Sequence, residues 1–188
     1  MIHKKHQILW GPGQKNRGKF SILSLATLAV FSFTMGRGGQ EAEGLRFVSG
    51  RVYRLTVASN VQWTDTGYDV EGEQTLFFSA SGGISLQVGN PMAYCGPDGY
   101  DLKTVQQPIQ DRNIGALIGK VVLLISIEVD EETREEKRNE IEEIFFIGSA
   151  RQVSLPISGR LFLGINENVV GDNSGQFTVD IRLGDLER

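Results

Sequence analysis

Between Leu161 and Leu183 the chain reads LFLGINENVVGDNSGQFTVDIRL, with apolar side chains at every second position on both sides of a polar middle. Leu161, Leu163 and Ile165 alternate before it. Phe177, Val179, Ile181 and Leu183 alternate after it, against Gln176, Thr178, Asp180 and Arg182. A period of two marks a strand with one buried face, because successive Cβ atoms point to opposite sides of a sheet. The spacing therefore predicts two strands, and their closeness in sequence predicts sheet neighbours joined at one end. Between them lie Asn166, Glu167, Asn168, Asp172, Asn173 and Ser174, with Gly171 and Gly175. These are turn residues for conformational reasons alone. They also gather carboxylate and amide oxygens in a small volume, which is the chemistry that holds a hard cation such as Ca2+.

The same alternation recurs along the chain. Tyr53, Leu55 and Val57 share one face of a strand and Arg54 and Thr56 the other; Gly67 to Val70 reads as a short strand. Leu76, Phe78 and Ala80 mark the inward face of another, and Ile84 to Val88 follows, ending at Gly89-Asn90-Pro91. Met92 to Asn113 is a long irregular passage, a length that in a compact domain goes with function or poor order. Gly115 to Ile127 is the most apolar stretch after the leader. Its β-branched Val121, Val122, Ile125 and Ile127 favour a strand buried on both faces, or two strands bent at Gly119. Residues 130–143 carry eight acids with Arg134, Lys137 and Arg138 among them, and no apolar residue before Ile141. That composition predicts a mobile acidic insertion between strands. Ile144 to Ile147 and Val153 to Ile157 complete the set. Many short strands with glycine-rich turns and little helix predict an all-β domain, a β-sandwich of the jelly-roll kind, over 47–188.

Residues 1–36 contain Lys4, Lys5, Lys15, Arg17 and Lys19, no acid, and the apolar run Phe20 to Met35. A basic start followed by an apolar run is the layout of a signal peptide or an N-terminal anchor, and it predicts an exported domain, tied to a membrane only if the leader is uncleaved. Residues 37–46 read as a linker. The leader takes five of the 19 basic residues, leaving 14 against 23 acids, a net charge of −9. So acidic a chain lacks the basic footprint that nucleic acid requires. Both histidines, His3 and His6, fall in the leader, and Cys95 is the single cysteine. A histidine-based triad, a His-ligated zinc or haem, a thiolate zinc site and an internal disulfide are thereby excluded from the domain. Any metal must be held by oxygen, which favours Ca2+ or Mg2+.

Several strings, in order, carry a likeness: Trp63-Thr64-Asp65-Thr66-Gly67, Ser79-Ala80-Ser81-Gly82, Gly96-Pro97-Asp98-Gly99, Gly115-Ala116-Leu117-Ile118-Gly119-Lys120, Phe146-Ile147-Gly148 and Asp172-Asn173-Ser174-Gly175-Gln176-Phe177. Their order and spacing, over roughly Val48 to Leu183, resemble the PA-IL family of bacterial galactophilic lectins. The resemblance implies a galactose-binding-domain-like jelly roll with one Ca2+ per domain, the ion itself coordinating sugar hydroxyls. It implies metal ligands at Asp172 and Asn173, where the family has paired amides, and at Glu167, where the family has an aspartate. It further implies backbone carbonyls at Val169 or Val170 and at Val88. The loop here is about two residues shorter, and the family's galactose-contacting His and Gln have no counterpart between Tyr100 and Gln110. The expectation is therefore calcium and a carbohydrate, with galactose disfavoured.

Independently of that likeness, Glu167 and Asp172 in one short loop repel unless a cation lies between them. Tyr94, Tyr100 and Trp63 offer aromatic faces for a sugar, with core or rim packing as the alternative. Asp98 and Asp101 read either as turn residues or as ligand contacts. Two further functions stand beside a non-enzymatic lectin-like domain, for which a homo-oligomer is left open. One is a structural or assembly domain of the cell envelope. The other is an aspartic protease through Asp65-Thr66-Gly67, since two carboxylates sharing a proton need no histidine.

Overall fold

The computed structural model describes residues 44–105 and 107–184. The expected leader and the start of the expected linker lie outside them. The described residues form an all-β sandwich of two sheets, as the alternation predicts. One sheet has the order β1 (Leu45–Arg46), β3 (Trp63–Val70), β9 (Gly159–Ile165), β6 (Leu117–Val129), β7 (Glu136–Phe146). The other has the order β2 (Val52–Ala58), β10 (Ser174–Leu183), β4 (Thr75–Ser85), β5 (Tyr94–Cys95), with β8 (Ala150–Ser154) also paired to β4.

The inward positions of the alternating runs meet between the sheets. Leu161, Leu163 and Ile165 from β9 and Val121 from β6 pack with Phe177, Val179 and Ile181 from β10 and with Leu76, Phe78 and Ile84 from β4. Burial of one such side chain contributes about 1.5–3 kcal/mol. Near the chain's entry Phe47 stacks on Tyr68, with ring centroids 4.5 Å apart, and meets Tyr53 edge-on at 4.9 Å.

Four expectations are corrected. β9 and β10 are not sheet neighbours: β9 pairs with β3 and β6, and β10 with β2 and β4, so the polar loop between them crosses from one sheet to the other. Alternation reveals that each strand buries one face, and two strands facing each other across a core read the same as two lying side by side. Leu45–Arg46, placed in the linker, pair in parallel with Tyr68 and Asp69 of β3. β6 is one continuous strand, unbent at Gly119; it is buried from Leu117 to Val121 and exposed from Ile125 onward.

The acidic segment is no excursion between strands. After a turn at 130–135 it becomes β7, paired with β6 from Val129↔Glu136 to Ile118↔Phe146, with a bulge between Leu124 and Ser126. Charge misled here because a strand whose backbone hydrogen bonds come from a partner needs few apolar groups of its own. An outermost strand rich in charge is also what protects a sheet edge from further pairing. β9 stops pairing with β6 at Val122↔Arg160. The outer half of the β6–β7 hairpin therefore runs on past the sandwich as an arm.

Candidate metal and ligand site

At the end of the sandwich away from the arm, the β9–β10 loop meets two other loops. The buried Ile165 and Phe177 fix where the loop leaves β9 and where it enters β10. Val88 donates its backbone N–H to the Asp172 carbonyl at 2.8 Å, which brings the segment after β4 against the loop. Gly115 donates to the Asn166 carbonyl at 3.2 Å and Asn166 to the Ala116 carbonyl at 2.8 Å, which brings in the passage before β6.

Within the loop Asn173 is 5% exposed. Its Nδ2 donates to Glu167 Oε2 at 2.6 Å and to the Ser59 carbonyl at 3.2 Å. Its backbone N–H donates to the Val170 carbonyl at 3.2 Å. Its Oδ1 is buried with no hydrogen-bond partner. An unpaired buried carbonyl oxygen costs about 1–3 kcal/mol, so such an atom is rare without a reason. Burial pushes the Glu167 carboxyl above the usual glutamate range; the bond from Asn173 opposes the shift, and the charge of Asp172 adds to it. Glu167, Asp172, Asn173, Val88 and Val170 are thus brought together by the fold. Among the described residues no three His, Cys, Asp or Glu side chains cluster as a metal site. The oxygens these residues carry, two carboxylates, one amide oxygen and main-chain carbonyls, are of the hard kind that suits Ca2+. The orphaned Asn173 oxygen beside a desolvated carboxylate is the feature of this set that a cation would satisfy.

The aromatic candidates stand on separate elements. Tyr94 on β5 is 62% exposed, and its ring lies so close over Gly83 that a Cβ there would collide with the phenol. Tyr100 is exposed and pairs with Ile114, next to the Gly115 that bonds Asn166. Asp101 is exposed nearby. Asp98 Oδ1 accepts the Ser149 N–H at 2.8 Å, so that oxygen supports the turn between β7 and β8. Trp63 is half-buried with the Lys120 ammonium 4.8 Å from its ring centre, which spends one face of the indole. Cys95 is buried; desolvation, then the charge of Glu167, pushes its thiol up to about 11, so it is inert.

Three positioning residues were not legible. Asn166, grouped in the sequence with the loop oxygens, is fully buried and faces the long passage. Its Oδ1 accepts the Ile109 N–H at 2.8 Å, and its Nδ2 donates to the Ile109 and Asn113 carbonyls at 3.0 Å. Gln107, also buried, donates to the Ile109 carbonyl at 2.8 Å and accepts the Thr104 N–H at 3.2 Å. Ser59 supplies the carbonyl that holds Asn173. Nothing in the residues around Ser59 or Gln107, nor the polar character of Asn166, signals these partners.

The Asp65-Thr66-Gly67 string lies within β3, at an irregularity where Gly67 takes φ 76. Asp65 Oδ1 accepts the Gly67 N–H at 2.8 Å, and Arg160 stands 3.7 Å from Asp65 and 3.3 Å from Asp69. An arginine between two aspartates compensates the charge that a proton-sharing pair leaves uncompensated. The geometry therefore gives the protease reading no support.

No family model and no curated protein matches the chain. Among solved structures it is similar to one described as an EclA N-terminal domain, a PllA-like lectin, at 17% identity over 70% of this chain and 96% of that one, with a TM-score of 0.48.

Proposed function

We propose that this chain is an exported carbohydrate-binding domain, not an enzyme, in which the β9–β10 loop holds Ca2+ and the ligand is a sugar with adjacent hydroxyls. The observation that carries the reading is the buried, unpartnered Oδ1 of Asn173, set beside Glu167 and Asp172. Glu167 and Asp172 would supply the charge, and Asn173 Oδ1 and the carbonyls of Val88 and Val170 the neutral oxygens. When bound, a Ca2+ with open positions accepts vicinal hydroxyls. The likeness of the loop's Asp172-to-Phe177 string to the PA-IL lectins supports the same ligand class. So do the exposed rings of Tyr94 and Tyr100, since a phenol face stacks on a sugar and its hydroxyl reaches water or ligand. Asp101, and the oxygen of Asp98 not engaged by Ser149, complete the polar rim.

Export rests on the basic-then-apolar leader. No helix among the described residues is long and apolar enough to cross a membrane. A glycan array run with calcium and again with chelator tests the function. Sugar-specific signal that vanishes with chelator is expected; no signal in either condition contradicts it.

A further inference from the structure

The two long edges of the arm differ in a way that points to a partner. β7, the outermost strand, is guarded along its length by Glu136, Lys137, Arg138, Glu140, Glu142 and Glu143. The opposite edge of the arm is not. β9 leaves the sheet at Gly159, which packs so tightly on the Val122 carbonyl that a Cβ would stand 2.2 Å from that oxygen. From Leu123 to Val129, β6 therefore has β7 on one side and, among the described residues, no strand on the other. Along this open edge Ile125, Ile127 and Val129 are 58%, 40% and 53% exposed. Beside it lies a groove of about 1160 Å³, floored by Val122, Leu123 and Leu124 and walled by charged groups of both signs, among them Arg46, Arg160 and Glu73. An extended chain laid there would continue the sheet where β9 stops, the geometry of strand addition.

We propose that the occupant is the same edge of a second copy, paired antiparallel about a twofold axis at Ser126. The sequence LLISIEV from Leu123 to Val129 is self-complementary in that register. Ile125 faces Ile127 of the other copy, Leu123 faces Val129, and Leu124 faces Glu128. The only charge on the stretch, Glu128, meets an aliphatic side chain and is already held by Asn139, whose Nδ2 donates to it at 3.0 Å. Within the paired stretch itself no two carboxylates face each other, and the groove beside it carries both signs, Arg46, Arg138 and Arg160 with Asp69, Glu71 and Glu73, so the apolar stretch and not charge attraction drives the pairing. Antiparallel self-pairing gives the isologous contact that closes at a dimer and uses up the open β6 edge, leaving the charge-guarded β7 outermost. The surface is separate from the loop site, so its fate and that of the calcium reading are independent.

Sedimentation velocity on the full chain tests this. Wild type at 5–100 µM is expected to run at twice the monomer mass, and Ile127→Lys, a change at an exposed position, to run as a monomer with an unchanged melting temperature. Ser126→Cys, with buried Cys95 left in place, is expected to give a disulfide-linked dimer on oxidation. A wild-type monomer at 100 µM overturns the proposal, as does association that persists in Ile127→Lys, since association through the leader would survive that change. A dimer in which Ser126→Cys fails to cross-link overturns the register. A monomer whose Leu123–Val129 amides gain hydrogen-exchange protection only with an added strand peptide overturns the second copy as occupant.

Discussion

At the loop end of the sandwich polar groups are turned inward: Asn166, Gln107 and Asn173 are buried, and their amides hold backbone from two separate loops, the passage around Ile109 and the turn at Ser59. At the opposite end β6 and β7 run on into solvent, and polarity is spent on exposed charges such as Arg138 and Glu140, 3.4 Å apart. Chemistry of similar polarity does different work in the two places. Buried, a single amide fixes a loop, because a lost partner leaves a desolvated group behind. Exposed, an ion pair is screened and contributes little, and the backbone ladder holds the hairpin. A ligand site that needs fixed oxygens belongs at the first end, and an edge that another chain can meet belongs at the second.

The sharpest way to break the contrast is Asn166→Ala. It orphans the Ile109 N–H and leaves the Asn113 carbonyl only the Ala116 N–H at 3.4 Å, and destabilisation of about 2–4 kcal/mol is expected in chemical denaturation. A loss below about 0.5 kcal/mol would mean the loop end is no more tightly fixed than the arm. Next comes calcium itself. At a free concentration 100 times its dissociation constant, a single site adds about 2.7 kcal/mol to stability. Thermal melts of chelator-treated protein should show that gain for wild type and lose it in Asp172→Ala.

The third test uses pH. The Glu167 carboxyl is raised in the folded state, chiefly by burial, so the fold binds that proton more tightly than the unfolded chain does. Its contribution is fully present below the unfolded value of about 4.3 and is lost as pH rises through the higher folded value. In chelator, Glu167→Gln should remove that part of the decline in melting temperature between acid and neutral pH; an unchanged profile would show that the carboxyl is not desolvated. The smallest effect is expected on the arm, where Glu140→Gln should change stability by less than about 0.5 kcal/mol in the same denaturation assay.

How much of this was legible in the sequence follows from the same contrast. The alternation of Leu161 to Ile165 and of Phe177 to Ile181 revealed the sandwich, because burial of one face leaves a period of two. It did not determine which strands pair, and closeness in sequence pointed to the wrong neighbours, since pairing is made by backbone groups common to every residue. The polar loop was visible from its oxygens, as were Glu167, Asp172 and Asn173 as its candidate ligands. The inward turn of Asn166 was not visible, because an asparagine that ends a strand looks alike whether it faces solvent or a buried loop. β7 was missed because charge was read as solvation of a loop, whereas at the edge of a sheet charge is compatible with a regular strand. The bulge after Leu124 also shifted the alternation that would have marked the arm.

The central claim, that the β9–β10 loop is a calcium site, meets its most direct test in isothermal titration of CaCl2 into chelator-treated protein. Saturable heat at one site per chain, lost in both Asp172→Ala and Asn173→Ala, is the result expected. Absence of heat up to millimolar calcium, or full binding retained in both variants, would contradict it.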